Sequence, residues 1–164
     1  MADLNTTEEY NGVGWTASNN LGTAASGLAG CGTQAAGFAA GGTEYKATTE
    51  EYNGTSWSAG GNMSAAKRDF EMVGLQTAAV NCGGDTGSLV ATTETYDGSS
   101  WSTEGNSLTA AKETHSMAGI STLAVAWGGD TGSASATSEE WAYAVTARSV
   151  TASERFKKEE NYGK

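Results

Sequence analysis

Proline is absent from this 164-residue sequence, and cysteine and histidine are nearly so. The two cysteines, Cys31 and Cys82, fall at different places in the repeats described below. We therefore expect buried free thiols and no disulfide framework. The single histidine, His115, cannot form a catalytic or metal site that needs several imidazoles, so we interpret it as a structural or exposed strand residue.

Positive charge and long apolar segments are also scarce. Nine Lys and Arg residues stand against 19 Asp and Glu residues, which gives a net charge of −10 at pH 7. Such a surface repels phosphate and anionic lipid, so we expect no nucleic-acid partner. No apolar run is long enough for a membrane span and no hydrophobic signal region follows Met1, so we expect no membrane insertion.

A recurring segment dominates the sequence, which is rich in glycine. Thr49–Ser58 (TEEYNGTSWS) returns as Thr93–Ser102 (TETYDGSSWS) and is preceded by Thr7–Thr16 (TEEYNGVGWT). The tyrosines lie 42 and then 44 residues apart, and the tryptophans keep the same spacing. A decayed fourth copy begins at Thr137. A period of this length indicates a repeat architecture. We expect its aromatic residues to form the repeat core: Tyr10, Trp15, Tyr52, Trp57, Tyr96, Trp101 and Trp141.

Each repeat is predicted to form four short strands, a to d. Residues 70–76 alternate in character and suggest strand a, and the small-residue run 77–82 suggests a strand b that is buried on both faces. A Gly-Gly pair separates b from c. An Asn-Gly or Asp-Gly turn joins c to d as a tight hairpin, because these residues tolerate positive φ. This hairpin places Trp57 across from Tyr52.

The order Gly-Gly, Tyr, Trp resembles the kelch repeat of β-propellers, in which a Gly pair closes the second strand of a blade. The five-residue interval between Tyr and Trp is shorter than is usual for kelch. The pattern is more similar to kelch-like repeats that are common in predicted structural proteins of marine phages, and Gly32–Gln34 and Leu75–Thr77 carry part of it. The resemblance covers residues 6–141. It implies an all-β fold of kelch-like β-propeller blades and leaves the function open.

The phase of the repeats bears on how the blades are completed. Residues 1–152 are predicted as the repeat region, with an outer half-blade at about 6–20 and units at about 25–62, 65–106 and 110–152. Three four-stranded units are fewer than the four to eight of a propeller ring. Either two chains exchange half-blades in a six-bladed ring, or residues 137–152 supply a degenerate c–d pair in an open or trimeric assembly. Both arrangements predict a homo-oligomer.

The residues after the repeats differ in composition. Residues 153–164 combine charges of both signs with two aromatics, Phe156 and Tyr162. They are predicted to form a charged C-terminal tail. This tail is either a frayed end or a docking peptide in which the two aromatics are the anchors.

Two near-identical loops are the first candidates for ligand binding. Gly83–Ser88 and Gly128–Ser133 contain Asp85 and Asp130, whose carboxylates are candidate ligand groups for an ion such as calcium. Their spacing fits no calcium motif, so we interpret both as turn residues.

No catalytic residues, metal site or cofactor are expected. Kelch copper oxidases require more than one histidine, and sialidase propellers require an arginine cluster that this sequence does not offer. Neighbouring glutamates on a strand face opposite sides and cannot converge on one bond. We interpret the three pairs as solvated strand edges: Glu8 and Glu9, Glu50 and Glu51, Glu139 and Glu140.

The expected function is that of a non-enzymatic structural component of a phage virion, in a tail, a fibre or the capsid surface. Such a protein is made in the host cytoplasm, resides in the virion, and has itself and other virion proteins as partners. The alternative is a glycan- or receptor-binding adhesin module that binds a host surface glycan through exposed Trp, Asn and Asp residues. An intracellular kelch adaptor would need a longer single-chain ring.

Overall fold

The computed structural model describes residues 3–143, and this part of the chain is all β. Thirteen strands in residues 3–143 form four small antiparallel sheets without any helix. The all-β prediction is therefore confirmed. The candidate anchors Phe156 and Tyr162, the tail 153–164 and the end of the predicted unit 110–152 lie outside the described residues.

The four sheets follow one another along the chain, and we name them sheets I to IV. Sheet I contains β1 (Thr7–Tyr10) and β2 (Trp15–Ser18). Sheet II contains β3 (Ala29–Thr33), β4 (Ala36–Ala40), β5 (Thr49–Tyr52) and β6 (Trp57–Ala59). Sheet III contains β7 (Glu71–Leu75), β8 (Ala78–Cys82), β9 (Thr93–Tyr96) and β10 (Trp101–Thr103). Sheet IV contains β11 (Ser116–Ile120), β12 (Leu123–Trp127) and β13 (Ser138–Ala142).

Strand order within the sheets agrees with the predicted plan. Sheets II and III each contain strands a to d, hydrogen-bonded in sequence order. Sheet I contains only c and d, as the half-unit at 6–20 predicts. In sheet IV, β13 pairs antiparallel with β12, and Ser138 lies opposite Trp127. Strand c of this sheet therefore comes from the same chain. Residues 3–143 do not form a closed ring.

The hairpin between strands c and d differs in detail from the predicted two-residue turn. Four residues separate Tyr52 from Trp57, and Asn53 N–H donates to the carbonyl of Ser56 at 3.2 Å. Only the glycine, Gly54, takes a positive φ, of 86°. The asparagine acts through its side chain instead, as described below.

The Gly-Gly pairs allow neighbouring sheets to approach closely. A Cβ on Gly41 would lie 2.5 Å from the ring of Phe70 and 2.6 Å from the carbonyl oxygen of Lys67, which belong to the next unit. A Cβ on Gly83 would lie 2.6 Å from the carbonyl oxygen of Lys112, one unit further on. The pairs therefore end strand b and also provide space for the following sheet.

The first strands of successive sheets lie side by side, since β3 contacts β7 and β7 contacts β11. A series of backbone hydrogen bonds runs beside them. Asp69 N–H donates to the carbonyl of Gly27 at 2.9 Å, and Thr114 N–H donates to that of Asp69 at 2.8 Å. These three residues occupy equivalent positions and share a positive φ of 51–63°. The units are therefore joined by the same backbone geometry at each step.

The core lies between the sheets. One cluster joins sheets II and III and contains Ala29, Phe38, Ala40, Met63, Phe70, Met72, Ala79, Tyr96 and Trp101. A second cluster joins sheets III and IV and contains Val73, Val80 and Ala124, with Met117 and Trp141 packed against it. Strand β8 is almost fully buried, which confirms the prediction of a strand covered on both faces. Each unit thus buries its apolar faces against its neighbours.

Candidate functional site

The recurring hairpin is held by one Asn or Asp side chain. Asn53 Oδ1 accepts hydrogen bonds from the backbone N–H groups of Thr55 and Ser56, at 3.0 and 2.9 Å. Asn11 and Asp97 do the same in their hairpins. This side-chain bonding fixes the loop and aligns the flanking aromatics.

Each hairpin brings its tyrosine and tryptophan together. The ring centroids are 5.2 Å apart for Tyr10 and Trp15 and 5.0 Å apart for Tyr52 and Trp57. The rings of Tyr96 and Trp101 are 5.1 Å apart. The predicted cross-strand pairing therefore recurs in sheets I, II and III. In sheet IV, Trp141 takes the place of the tyrosine.

The tyrosine hydroxyls bind a carboxylate of the preceding sheet. Tyr96 Oη donates to Glu51 Oε1 at 2.6 Å, and Tyr52 Oη donates to Glu9 Oε1. Burial and the Glu51 carboxylate raise the pKa of Tyr96 to about 12. The hydrogen bond from Tyr52 lowers the pKa of Glu9.

The tryptophans also donate a hydrogen bond to the preceding sheet. Their acceptor is the threonine that lies two residues before the glutamate on strand c. Trp101 Nε1 donates to Thr49 Oγ1 at 3.0 Å, and Trp57 Nε1 donates to Thr7 Oγ1 at 3.1 Å. Tyr, Trp, Glu and Thr of the repeated segment therefore join sheet I to sheet II and sheet II to sheet III by identical chemistry.

The predicted core aromatics are buried to different degrees. Trp101 is 8% exposed, Trp57 is half-buried and Trp15 is 68% exposed. Phe38 of strand b explains the difference, because its ring stacks on Tyr96 and on Trp101. In the described part of the chain, sheet I has no strand b to cover the aromatics of sheet II in this way. The prediction of a repeat core therefore holds for sheet III and fails for the exposed pair of sheet I.

An aromatic cleft of about 330 Å³ lies along the edge of β1, where sheet I, within residues 3–143, lacks a strand b, and sheet II forms its other wall. Its lining combines four aromatic rings with carboxylate, amide and hydroxyl groups: Thr7, Glu8, Glu9, Tyr10, Trp15, Thr33, Gln34, Gly37, Tyr52 and Trp57. Exposed rings beside hydrogen-bonding groups are suited to stacking against a sugar. This cleft is the candidate binding site of the described chain.

The interpretation of the glutamate pairs as solvated edges is wrong for four of the six residues. Glu9 and Glu51 accept the tyrosine hydroxyls described above. Glu50 accepts hydrogen bonds from the N–H groups of Gly22 and Thr23, and Glu139 accepts one from Thr109. Glu8 and Glu140 are exposed, as expected. The two members of each pair do face opposite sides of the strand, and both sides are covered only for Glu50 and Glu51.

Two buried lysines were missed at the sequence level. Lys67 is fully buried, with Nζ 3.0 Å from Glu94 Oε2 and 2.6 Å from Asn81 Oδ1. Burial lowers the pKa of Lys67, and the Glu94 carboxylate opposes this shift. Lys112 is equally buried, 2.9 Å from Glu139 Oε1. Both lysines follow an Ala-Ala pair, at 65–67 and 110–112. This short segment cannot form a helix, but its return at the same place in the repeat was the available sign of a shared structural role.

A thiol, an imidazole and a thioether meet between sheets III and IV. Cys82 Sγ lies 3.3 Å from His115 Nε2 and 3.3 Å from Met117 Sδ. Burial raises the pKa of Cys82 to about 12 and, together with Lys112, lowers the pKa of His115 to about 4. Both groups are neutral at pH 7, which suits packing. Cys82 is buried as predicted, whereas Cys31 is only half-buried, and both are free.

The two aspartate loops have different surroundings. Asp85 Oδ1 accepts from Gly87 N–H at 2.8 Å, and Oδ2 lies 3.0 Å from Nη2 of Arg68 and 3.2 Å from the hydroxyl of Tyr45. Partial burial would raise the pKa of Asp85, but the Gly87 amide and Arg68 outweigh it and lower that pKa. Asp130 makes the same turn contact but is exposed. Both aspartates thus stabilise turns, in agreement with the interpretation made from the sequence.

Residues 3–143 contain no group of three or more His, Cys, Asp or Glu side chains that is placed to hold a metal ion. The same part of the chain contains no helix that is long and apolar enough to cross a membrane. No protein-family model matches the sequence, and no curated protein matches it significantly.

The buried ion pair predicts an asymmetric response to mutation. Lys67→Met leaves the Glu94 carboxylate buried without its cation, and we expect it to lower the free energy of unfolding by about 3–5 kcal/mol. Adding Glu94→Leu removes the stranded charge and should recover most of this loss. Both values can be measured by urea unfolding.

Lys46→Met is the matched control for this experiment. Lys46 lies 3.8 Å from Asp3 in a partly exposed pair, so we expect a loss of at most about 1 kcal/mol. Equal losses for Lys46→Met and Lys67→Met, or no recovery in the double variant, would contradict the assignment.

Proposed function

We propose that this protein is a non-enzymatic structural component of a phage virion, as a tail, fibre or capsid-surface protein. One observation carries the proposal. Side chains that recur in the hairpin segment, namely Tyr, Glu, Trp and Thr, join sheet I to sheet II and sheet II to sheet III. Repeated chemistry that is used for cohesion suits a building element better than a catalyst.

We further propose that the sheets are kelch-like β-propeller blades. The side-by-side first strands β3, β7 and β11 support this arrangement, because blades placed around a common axis bring their first strands together. The part of the chain that the structure describes, residues 3–143, forms two complete sheets and two partial ones, which fall short of a ring of four to eight blades. Other copies of the chain therefore complete the assembly, and other virion proteins are its remaining partners.

If the protein belongs to the virion, purified particles of the phage that encodes it will contain it in a fixed number of copies. Quantitative mass spectrometry of gradient-purified particles measures this number, and cryo-electron microscopy locates the sheets. Recovery of the protein from infected lysate but never from washed particles would rule out the proposal.

A glycan-binding adhesin module is the second candidate function. The cleft along the edge of β1 favours it, because the exposed Trp15 and the half-buried Trp57 line it together with Glu8 and Gln34. Aromatic faces stack on the apolar face of a sugar, while carboxylate and amide groups bind its hydroxyls.

A glycan array separates the two functions. If the cleft binds a sugar, Trp57→Ala and Trp15→Ala will each abolish the array signal, because each removes a stacking surface. Trp127→Ala is the matched control, since Trp127 is 42% exposed but lies outside the cleft. Circular dichroism must show that all variants are folded. An array without signal for the unmodified chain, or equal signals for all variants, would exclude the adhesin function for this cleft.

A further inference from the structure

The repeated contacts give every sheet a front, which faces the following sheet, and a back, which faces the preceding one. On β5, Thr49 and Glu51 accept from sheet III and therefore point to the front. Tyr52 donates to sheet I and therefore points to the back. Glu50 also points to the back, where it accepts from Gly22 N–H. Side chains alternate along a strand, so the equivalent residues of β1 and β13 can be assigned to faces in the same way.

The back of sheet I is an aromatic surface that no other sheet of the described residues covers. Thr7 and Glu9 of β1 contact sheet II, so Tyr10 lies on the opposite face, with Trp15 beside it. Tyr10 is 49% exposed and Trp15 is 68% exposed. Their counterparts in sheet III, Tyr96 and Trp101, are covered by sheet II.

Within residues 3–143, the front of sheet IV is an apolar surface that no other sheet covers. Leu123 of β12 and Ile120 of β11 are 62% and 58% exposed and lie opposite each other. Side chains alternate along β12, so Val125 lies on the same face as Leu123. Val125 is paired with Glu140, just as Phe38 is paired with Glu51 in sheet II. Val125 therefore occupies the position from which Phe38 covers the aromatics of the next sheet.

The polar groups of these two end faces match each other. Glu140 is the repeat equivalent of Glu9 and Glu51, and Ser138 is the equivalent of Thr7 and Thr49. The front of sheet IV thus keeps both acceptors, a carboxylate and a hydroxyl. The back of sheet I keeps both donors, the Tyr10 hydroxyl and the Trp15 indole N–H.

The contact between sheets III and IV shows that donors and acceptors are not present at these positions merely because the sequence repeats. Here Thr95 takes the place of the glutamate, and Trp141 takes the place of the tyrosine. Trp141 Nε1 instead donates to the carbonyl of Ser121 within its own sheet. The tyrosine donor and its glutamate acceptor are lost together at this interface, whereas Tyr10 and Glu140 retain them on the two end faces.

From this complementarity we infer that the front of sheet IV in one copy binds the back of sheet I in a second copy. Tyr10 Oη donates to the Glu140 carboxylate, Trp15 Nε1 donates to Ser138 Oγ, and the two rings cover Val125. Sheets II and III stand between sheets I and IV, so the contact joins different copies. It is heterologous, and it builds a ring or an open chain of copies. The inference rests on the self-association proposed above, and not on where the protein resides.

Two interface variants test the inference by light scattering and native mass spectrometry of the full chain. Trp15→Glu disables only the back of sheet I, and Val125→Glu disables only the front of sheet IV. We expect the unmodified chain to associate and each variant alone to be monomeric. A mixture of the two should give a 1:1 complex that grows no further, because one intact front meets one intact back.

Val13→Glu is the matched control, since Val13 is 93% exposed in the same hairpin as Trp15 but lies on neither face. It should associate like the unmodified chain. Tyr10→Phe removes the hydroxyl donor and Glu140→Gln removes the charge of the acceptor, both with little risk to folding, and each should raise the Kd roughly tenfold. The double variant should be no weaker than either single variant.

The outcomes distinguish the failure of this interface from that of the proposed function. A monomeric unmodified chain would overturn self-association itself. Association that survives Trp15→Glu and Val125→Glu, or a mixture that stays monomeric, would overturn the assignment of the two faces only. Neither result bears on whether particles contain the protein, which the particle analysis decides.

Discussion

The structure depends on one contact between sheets, in which aromatic side chains of one sheet bind polar groups of the sheet before it. Tyr96 binds Glu51, and Trp101 binds Thr49. Both aromatics also stack on Phe38, so hydrogen bonding and apolar burial act at one place. A four-stranded sheet of three- to five-residue strands has little core of its own. Its stability therefore comes from its neighbours, as in other repeat proteins.

Buried charge gives the interior its second constraint. Lys67 and Lys112 are both fully buried, and each pairs with a glutamate of strand c. Such pairs add little net stability, because desolvation offsets their attraction. They do penalise any arrangement in which strand c is displaced, since a charge would then be left unpaired. We therefore infer that each lysine fixes the position of the loop before strand a relative to strand c.

Much of the fold could be predicted from the sequence, because the cues for strands and turns are local. The Gly-Gly pairs, the Asn-Gly turns and the alternation of residues 70–76 placed the strands and their order correctly. Contacts between sheets could not be predicted, because they join residues far apart in sequence, such as Tyr96 and Glu51, which are 45 positions apart. Comparing the repeats offers one usable signal, the joint change to Thr95 and Trp141.

A double-mutant cycle on Tyr96 and Glu51 tests the central claim most directly. Unfolding free energies are measured for Tyr96→Phe, Glu51→Ala and the double variant, with Glu50→Ala, on the opposite face of β5, as the control partner. The contact between sheets predicts a coupling energy of about 1–3 kcal/mol for Tyr96 with Glu51. It predicts no coupling for Tyr96 with Glu50. Coupling of Tyr96 with Glu51 within about 0.3 kcal/mol of zero would contradict the account.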